Sequence, residues 1–197
     1  MLSDGQGWVA TFELGEDVRP DARATVKALQ AQGVQVHILS GDGASAVARI
    51  AQALGIAHAR GDCAPQDKLA FLQQAQQQGH RVAVVGDGLN DGPALAGAHV
   101  SFAFGQAVPL AQAQADFVVP GEQLSSVDRS LLLARRTMRI VRQNLGWAVA
   151  YNVACVPLAV AGWLPAWLAG LGMAASSLLV VFNALRLAID PNHKETD

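Results

Sequence analysis

Charge is what this chain has least of. Charged side chains make up 15% of the 197 residues, against 51% hydrophobic, and mean hydropathy is +0.25. Soluble domains carry about 25% charged residues, so this balance is too apolar for a chain that is soluble throughout. The net charge of -2 leaves no broad basic field, which excludes a nucleic-acid partner. Only two cysteines are present, Cys63 and Cys155, too few for a disulfide framework. No basic stretch followed by an apolar one opens the chain, so no signal peptide is expected. Repeats of solenoid period are lacking, and the glutamine run at 73–78 reads as a polar helix face rather than as low complexity.

The shortage of charge is uneven. From Gln143 to Leu185, 43 consecutive residues contain no Asp, Glu, Lys or Arg. One helix of that length would measure roughly 65 Å, about twice the hydrocarbon thickness of a bilayer, whereas two helices of about 20 residues would each span it. Gly162-Trp163-Leu164-Pro165 supplies the break. A transmembrane hairpin is therefore expected within residues 143–189, with helices at about 144–163 and 167–188, and a short polar tail over 190–197. Arg129, Arg135, Arg136, Arg139 and Arg142 precede the first span, and Arg186 and Lys194 follow the second. By the positive-inside rule both ends of the hairpin are cytoplasmic, and Trp147, Trp163 and Trp167 fall where interfacial anchors would. Residues 123–142 read as an amphipathic stalk helix, with Leu131, Leu132, Met138 and Val141 roughly opposite the arginines.

Upstream, strands and helices alternate. A strand is expected at 7–14, helices at 20–32, 44–54 and 65–78, and strands at 34–39, 56–59 and 82–85. A short helix after Pro93, a strand at 100–104, a helix near 107–114 and a strand at 117–119 complete a region ending near residue 122. Helix starts are signalled by Pro20 and Pro65 and stops by Gly33, Gly55 and Gly79. A strand-helix-strand rhythm of about 23 residues favours right-handed crossovers, hence an α/β fold with a doubly wound parallel sheet.

Within that region the run Val82-Ala83-Val84-Val85 stops at Gly86-Asp87-Gly88-Leu89-Asn90-Asp91. A buried parallel strand that delivers acidic groups to its C-terminal edge has this pattern, and ligands of open α/β sheets bind beyond such edges. Asp87 and Asp91 suit a hard cation such as Mg²⁺, which keeps waters or phosphate oxygens in its remaining positions. Ser40 at the end of another strand offers a hydroxyl, Lys68 at a helix start a point charge, and Asn90 an amide. Together they could hold a phosphoryl group. Each residue alone also has a structural explanation: Ser40 and Asp42 as turn formers, Lys68 as a solvated lysine, Asp and Asn as helix caps.

Ser40-Gly41-Asp42, Pro65-Gln66-Asp67-Lys68 and Gly86-Asp87-Gly88-Leu89-Asn90-Asp91 together resemble the haloacid-dehalogenase-type phosphorylation domain of P-type ATPases. The resemblance runs from Arg19-Pro20-Asp21-Ala22 through both spans. It implies that Asp87 and Asp91 serve Mg²⁺, that Asn90 and Asp91 position the phosphorylated site, that Lys68 neutralises phosphate oxygens and that Ser40 hydrogen-bonds one. Ser40 replaces the usual Thr, and Glu16 stands where the hinge commonly has Asp. The nucleophilic Asp-Lys-Thr-Gly-Thr motif is nowhere in these residues; the one Asp-Lys pair, Asp67-Lys68, is followed by Leu69. The expectation is therefore a partial domain without its nucleophile strand, the C-terminal portion of a transporter that uses ATP only when complete, its other half in the same chain or in a separate one. Alone it would not turn over ATP.

In the spans, Tyr151, Asn152, Cys155, Met173, Ser176, Ser177 and Asn183 are polar or soft, and such residues in a bilayer are functional candidates by default. At 1.5 Å per residue, Asn152 lies about 12 Å from one face and Ser177 about 15 Å from the other, so they can meet near the midplane. A thioether with neutral oxygen and nitrogen donors favours Cu⁺ over Zn²⁺ or Ca²⁺. Tyr151-Asn152 and Met173-Ala-Ala-Ser-Ser177 resemble the ion pathway of the copper branch of metal-transporting P-type ATPases, which implies Tyr151, Asn152, Met173 and Ser177 as ligands of transported Cu⁺ or Ag⁺, in a bacterial inner membrane and in contact with lipid. Helix packing by small residues is the competing explanation. Two alternatives for the whole chain are a Mg²⁺-dependent phosphatase of the same superfamily and a non-catalytic membrane remnant of the scaffold.

Overall fold

The computed structural model describes residues 2–4, 7–10 and 18–188, with side chains over 18–188. The expected features at 11–14, at Glu16 and in the tail lie outside the described residues. Two compact units divide at Asp128 and Arg129.

The first unit is α/β. β1 (Leu2–Asp4) and β2 (Gly7–Ala10) form a two-stranded antiparallel pair. α1 (Ala22–Ala31) follows the Pro20 turn and buries Ala22, Thr25 and Val26, with Gly33 leaving it at a φ of 78°. β3 (His37–Leu39) and β4 (His58–Arg60) pair in parallel, with α2 (Ala44–Leu54) between them. α3 (Pro65–Gln77) starts at a proline whose missing N–H costs nothing at that position, and the Asp67 carboxylate accepts the Ala64 N–H at 2.9 Å. β5 (Ala83–Val85), β6 (Val100–Phe104) and β7 (Phe117–Val119) form a second parallel sheet, linked by α4 (Gly92–Gly97) and α5 (Pro109–Gln114).

Apart from β1, which was not expected, the elements match the sequence expectations in type, and β6 and β7 match in extent. β3 is shorter than expected at its N-terminal end and β4 is displaced to His58–Arg60. The parallel sheet, expected as one layer lacking a strand, is two ladders: β3 is bonded to β4 and β5 to β6, and β3 and β5 share no ladder. Burial follows the division. β6 is flanked on both sides, and Phe102, Ala103 and Phe104 are almost fully covered, whereas on β5 Val85 remains 41% exposed. Around β6, Leu95, Ala103, Ala107 and Ala111 pack in one cluster and Phe102, Phe104, Val119 and Val127 in another. A third cluster, Val26, Ala51 and Ile56, seats α1 and α2 against β3.

The residues expected as a stalk and a first span form one helix, α6 (Ser125–Val160), which continues through Pro157. After the turn at Gly162, α7 runs over Ala166–Leu185. In the second unit the seam between them is read from the half-covered positions, Asn144, Ala148, Tyr151 and Cys155 on α6 and Ala169, Gly172, Ser176, Val180 and Asn183 on α7. Spacings of three and four residues are those of one helix face. Among the described residues one helix, α7, is long and apolar enough to cross a membrane, with a mean hydropathy of 1.9. Asn144, Tyr151, Asn152 and Pro157 dilute the same property in α6.

Candidate phosphate and cation site

The turn after β5 is built around Asp91. Its Oδ1 accepts a hydrogen bond from the Lys68 ammonium at 2.8 Å, and its Oδ2 accepts the Gly88 N–H at 3.2 Å. Lys68, from the first turn of α3, and Asp91, before α4, are only 13% and 18% exposed, so the pair is largely withdrawn from solvent. The close approach needs a residue without Cβ at position 86. A Cβ on Gly86 would lie 2.7 Å from the Asp91 Cβ. β5 is held here by the Gly86 N–H, which donates to the Phe102 carbonyl, while the Asp87 carbonyl accepts the Val108 N–H.

Asp87 is different. Its side chain is 65% exposed and, among the described residues, pairs with Arg19 at 3.8 Å. A screened pair at that exposure is worth little and is easily exchanged for a cation. Arg19 itself is well anchored, lying 4.2 Å above the Phe104 ring and donating to the Glu122 carbonyl at 2.6 Å. Two residues on, Asp21 accepts the Ser125 N–H at 2.9 Å and so caps the start of α6 from 104 residues away. Arg-Pro-Asp thus ties the entry of the α/β unit to the first turn of α6, which the motif gave no means of seeing.

Ser40, at the end of β3, donates its hydroxyl to Asp42 at 2.6 Å and accepts the Asp42 N–H at 3.2 Å. The loop after β4 lies against this turn. The Cys63 N–H donates to the Ser40 carbonyl at 2.9 Å and the Asp62 N–H to the Asp42 carbonyl at 2.7 Å. Asp62 adopts a φ of 53°, unusual without glycine, and its carboxylate accepts the Ala44 N–H at 3.2 Å, capping α2. Asp42 and Asp62 are therefore structural partners of the Ser40 turn.

Of the expected phosphate residues, Lys68 and Asp91 are brought into contact, Asp87 stands open beside Arg19, Ser40 is engaged with Asp42, and Asn90 follows Leu89 in the 3-10 turn Leu89–Asp91. Among the described residues no three His, Cys, Asp or Glu side chains converge on one point. A carboxylate that is open to solvent suits Mg²⁺, which takes one or two protein carboxylates and fills its other positions with water and phosphate oxygens. By that measure Asp87 fits better than Asp91, whose oxygens are both occupied.

In the second unit, Tyr151 lies on the seam, its hydroxyl donating to the Ala169 carbonyl at 3.5 Å. The Asn152 amide donates to the Ala148 carbonyl of its own helix at 2.7 Å. Met173, 66% exposed, and Ser177 share the outward face of α7. Residues not singled out as ligands hold the seam: Trp147 donates to Ser176 at 3.0 Å, and Asn183 donates to Asn144 at 2.8 Å and accepts from Arg186 at 3.1 Å.

Known proteins agree with this construction. Residues 6–99 match the haloacid dehalogenase-like hydrolase family. Cation-transporting P-type ATPase B of Mycobacterium tuberculosis is 42% identical over 178 residues, 90% of this chain and 24% of the relative. Nitrogen fixation protein FixI of Rhizobium meliloti is 41% identical over 91% of the chain, and a copper-exporting P-type ATPase of Staphylococcus aureus 38% identical over 92%. A crystal structure of a zinc-transporting PIB-type ATPase superposes with a TM-score of 0.79 at 34% identity, over 86% of this chain and 28% of that one. The chain spans about a quarter of the length of the curated relatives it matches. The chain thus carries a haloacid dehalogenase-like hydrolase domain, and over about nine tenths of its length it is similar to heavy-metal P-type ATPases.

Proposed function

We propose that this chain supplies the phosphate-responding half of the phosphorylation domain, and part of the membrane pathway, of an ATP-driven transporter of a soft monovalent metal, Cu⁺ or Ag⁺. The ion pair at the end of β5 is the main support. Lys68 is held on Asp91 beside the open carboxylate of Asp87, so a cation and a phosphoryl group have adjacent places with charges of the right sign. Mg²⁺ at Asp87 would supply charge neutralisation of the phosphoryl oxygens. Lys68 would share its ammonium with those oxygens, Asn90 and Asp91 would orient the site, and the Ser40 hydroxyl would turn from Asp42 to a phosphate oxygen.

The nucleophilic carboxylate is to come from a segment other than these 197 residues. The division of the parallel sheet supports this, because Ser40 and Asp87 end two strands, β3 and β5, that share no ladder, and one further parallel strand between them would complete a continuous sheet. In the membrane, α6 and α7 would form the two spans, with both ends cytoplasmic. Tyr151, Asn152, Met173 and Ser177 would ligate the transported ion together with further helices, Met173 and Ser177 being available on the outward face of α7.

The test is phosphorylation by ATP with Mg²⁺ in inverted membrane vesicles. The 197-residue chain alone should give no acid-stable phosphoenzyme, and joined to a segment carrying Asp-Lys-Thr-Gly-Thr it should give one that Asp87→Ala reduces at least about 100-fold. Labelling of the chain alone, or normal labelling of Asp87→Ala, overturns the assignment. In the same vesicles Met173→Leu should leave the fold intact and slow Cu⁺ uptake, since the swap conserves volume; stimulation by Zn²⁺ in place of Cu⁺ would reject the monovalent ion.

A further inference from the structure

One feature of the second unit lies outside both sites. Arg135, Arg139 and Arg142 are exposed at spacings of four and three on α6, so they share one face, and with Met138 and Gln143 they line an open groove of about 720 Å³. The sequence pattern puts Met138 opposite the arginines; in the structure it lies among them, because residues 135, 138 and 142 differ by three and four positions. The groove ends at Gln143, where the 43-residue stretch without charge begins.

We infer that this groove is a binding site for the headgroup of an anionic phospholipid. The inference rests on the membrane placement of α6 and α7 proposed above. If the bilayer boundary lies at Gln143, the rise of 1.5 Å per residue sets Arg142 about 1.5 Å, Arg139 about 6 Å and Arg135 about 12 Å outside the hydrocarbon. The headgroup layer is about 5–7 Å thick on each side, so Arg142 and Arg139 lie within it, while Arg135 lies about 5 Å beyond it. Guanidinium groups suit the occupant, since their planar forks pair with phosphate in bidentate fashion and shed water more readily than ammonium. Among the described residues that line the groove none is acidic.

The experiment reconstitutes the full chain in phosphatidylcholine vesicles with trace spin-labelled phosphatidylglycerol or spin-labelled phosphatidylcholine, and reads the fraction of motionally restricted lipid by electron paramagnetic resonance. Phosphatidylglycerol should be enriched around the protein at least about five-fold over phosphatidylcholine, one arginine's attraction near a surface. Arg139→Gln with Arg142→Gln should bring the ratio to near one, while Arg139→Lys with Arg142→Lys keeps most of it and shows that the helix is intact. Equal restriction of both lipids by the unaltered chain overturns the headgroup site and leaves the membrane placement standing. No restricted component from either lipid overturns the placement itself. Loss of enrichment on adding inorganic phosphate, but not chloride of equal ionic strength, overturns the lipid in favour of a free phosphate.

Discussion

Lys68 and Asp91 are most useful to one another when left together. Removing the ammonium leaves a largely buried carboxylate oxygen without its charged donor, and that loss costs more than the intact pair contributes. Lys68→Met should lower the unfolding free energy of the full chain in detergent by about 2 kcal/mol, read from urea titration. Gly86→Ala should do comparable damage by driving Asp91 off its place, since the new methyl would lie 2.7 Å from the Asp91 Cβ. The two changes act on one contact, so the double variant should fall well short of their sum, and full additivity would show the contact to be irrelevant. A second residue-scale effect concerns His37. Its ring stacks on His58 across β3 and β4 at a centroid distance of 4.8 Å and packs against Phe71 at 5.3 Å. Burial, and then the neighbouring His58, hold the His37 imidazole below its usual 6.5. The unfolded chain therefore binds this proton first as the pH falls. The contribution to stability is whole above pH 6.5 and is lost as the pH drops from there through the lower folded-state value. NMR titration of the His37 ring should give a midpoint below 6.5 that rises in His58→Gln; a midpoint at or above 6.5 refutes the coupling.

At the scale of elements, the α6–α7 seam depends on a notch. The Tyr151 hydroxyl occupies the space that a Cβ on Gly172 would enter, 2.7 Å away. Small residues let helices approach where lipid provides no hydrophobic drive, and the packed side chain is the gain. Gly172→Ala should destabilise the hairpin by about 1–3 kcal/mol in thermal unfolding in mild detergent, with Tyr151 displaced. Gly170→Ala is the control, because a Cβ there meets nothing within 4 Å, and it should be neutral or slightly stabilising. Equal effects of the two alanines would mean that the notch has no role. Asn183, bonded to Asn144 and Arg186, closes the charged end of the same seam.

At the scale of the molecule, the α/β unit has an uneven core. β6 is paired on both sides and buried along nearly its whole length, while among the described residues β3 and β5 each have a neighbour on one side only. Hydrogen exchange should therefore be slowest in Val100–Phe104 and markedly faster in His37–Leu39 and Ala83–Val85, the order of ladder bonding and burial. Comparable protection of all three strands would contradict the divided sheet. Much of this unit was legible from local pattern. Proline starts, glycine stops and β-branched runs are signals carried by a few adjacent residues, so α2, β6 and β7 match at their ends and the turn from Gly86 to Asp91 stands out on its own. The uncharged stretch marked α7 for the same reason. The fusion of stalk and first span into one 36-residue helix was not marked in the sequence, because the change from charged to uncharged residues at Gln143 reports a change of surroundings and not whether the backbone continues. Nor did any local signal show that Asp21 caps α6, that Ser40 turns to Asp42, or that Lys68 selects Asp91 rather than Asp87. Such partners are 2 to 104 residues apart, and geometry in three dimensions decides among chemically similar candidates. Periodicity and side-chain chemistry set the kinds of elements, their order and the pool of candidate donors. Only the tertiary structure decided which carboxylate is paired and which is open, and which face of each apolar helix is covered, because burial and contact belong to the packed chain and not to any residue within it.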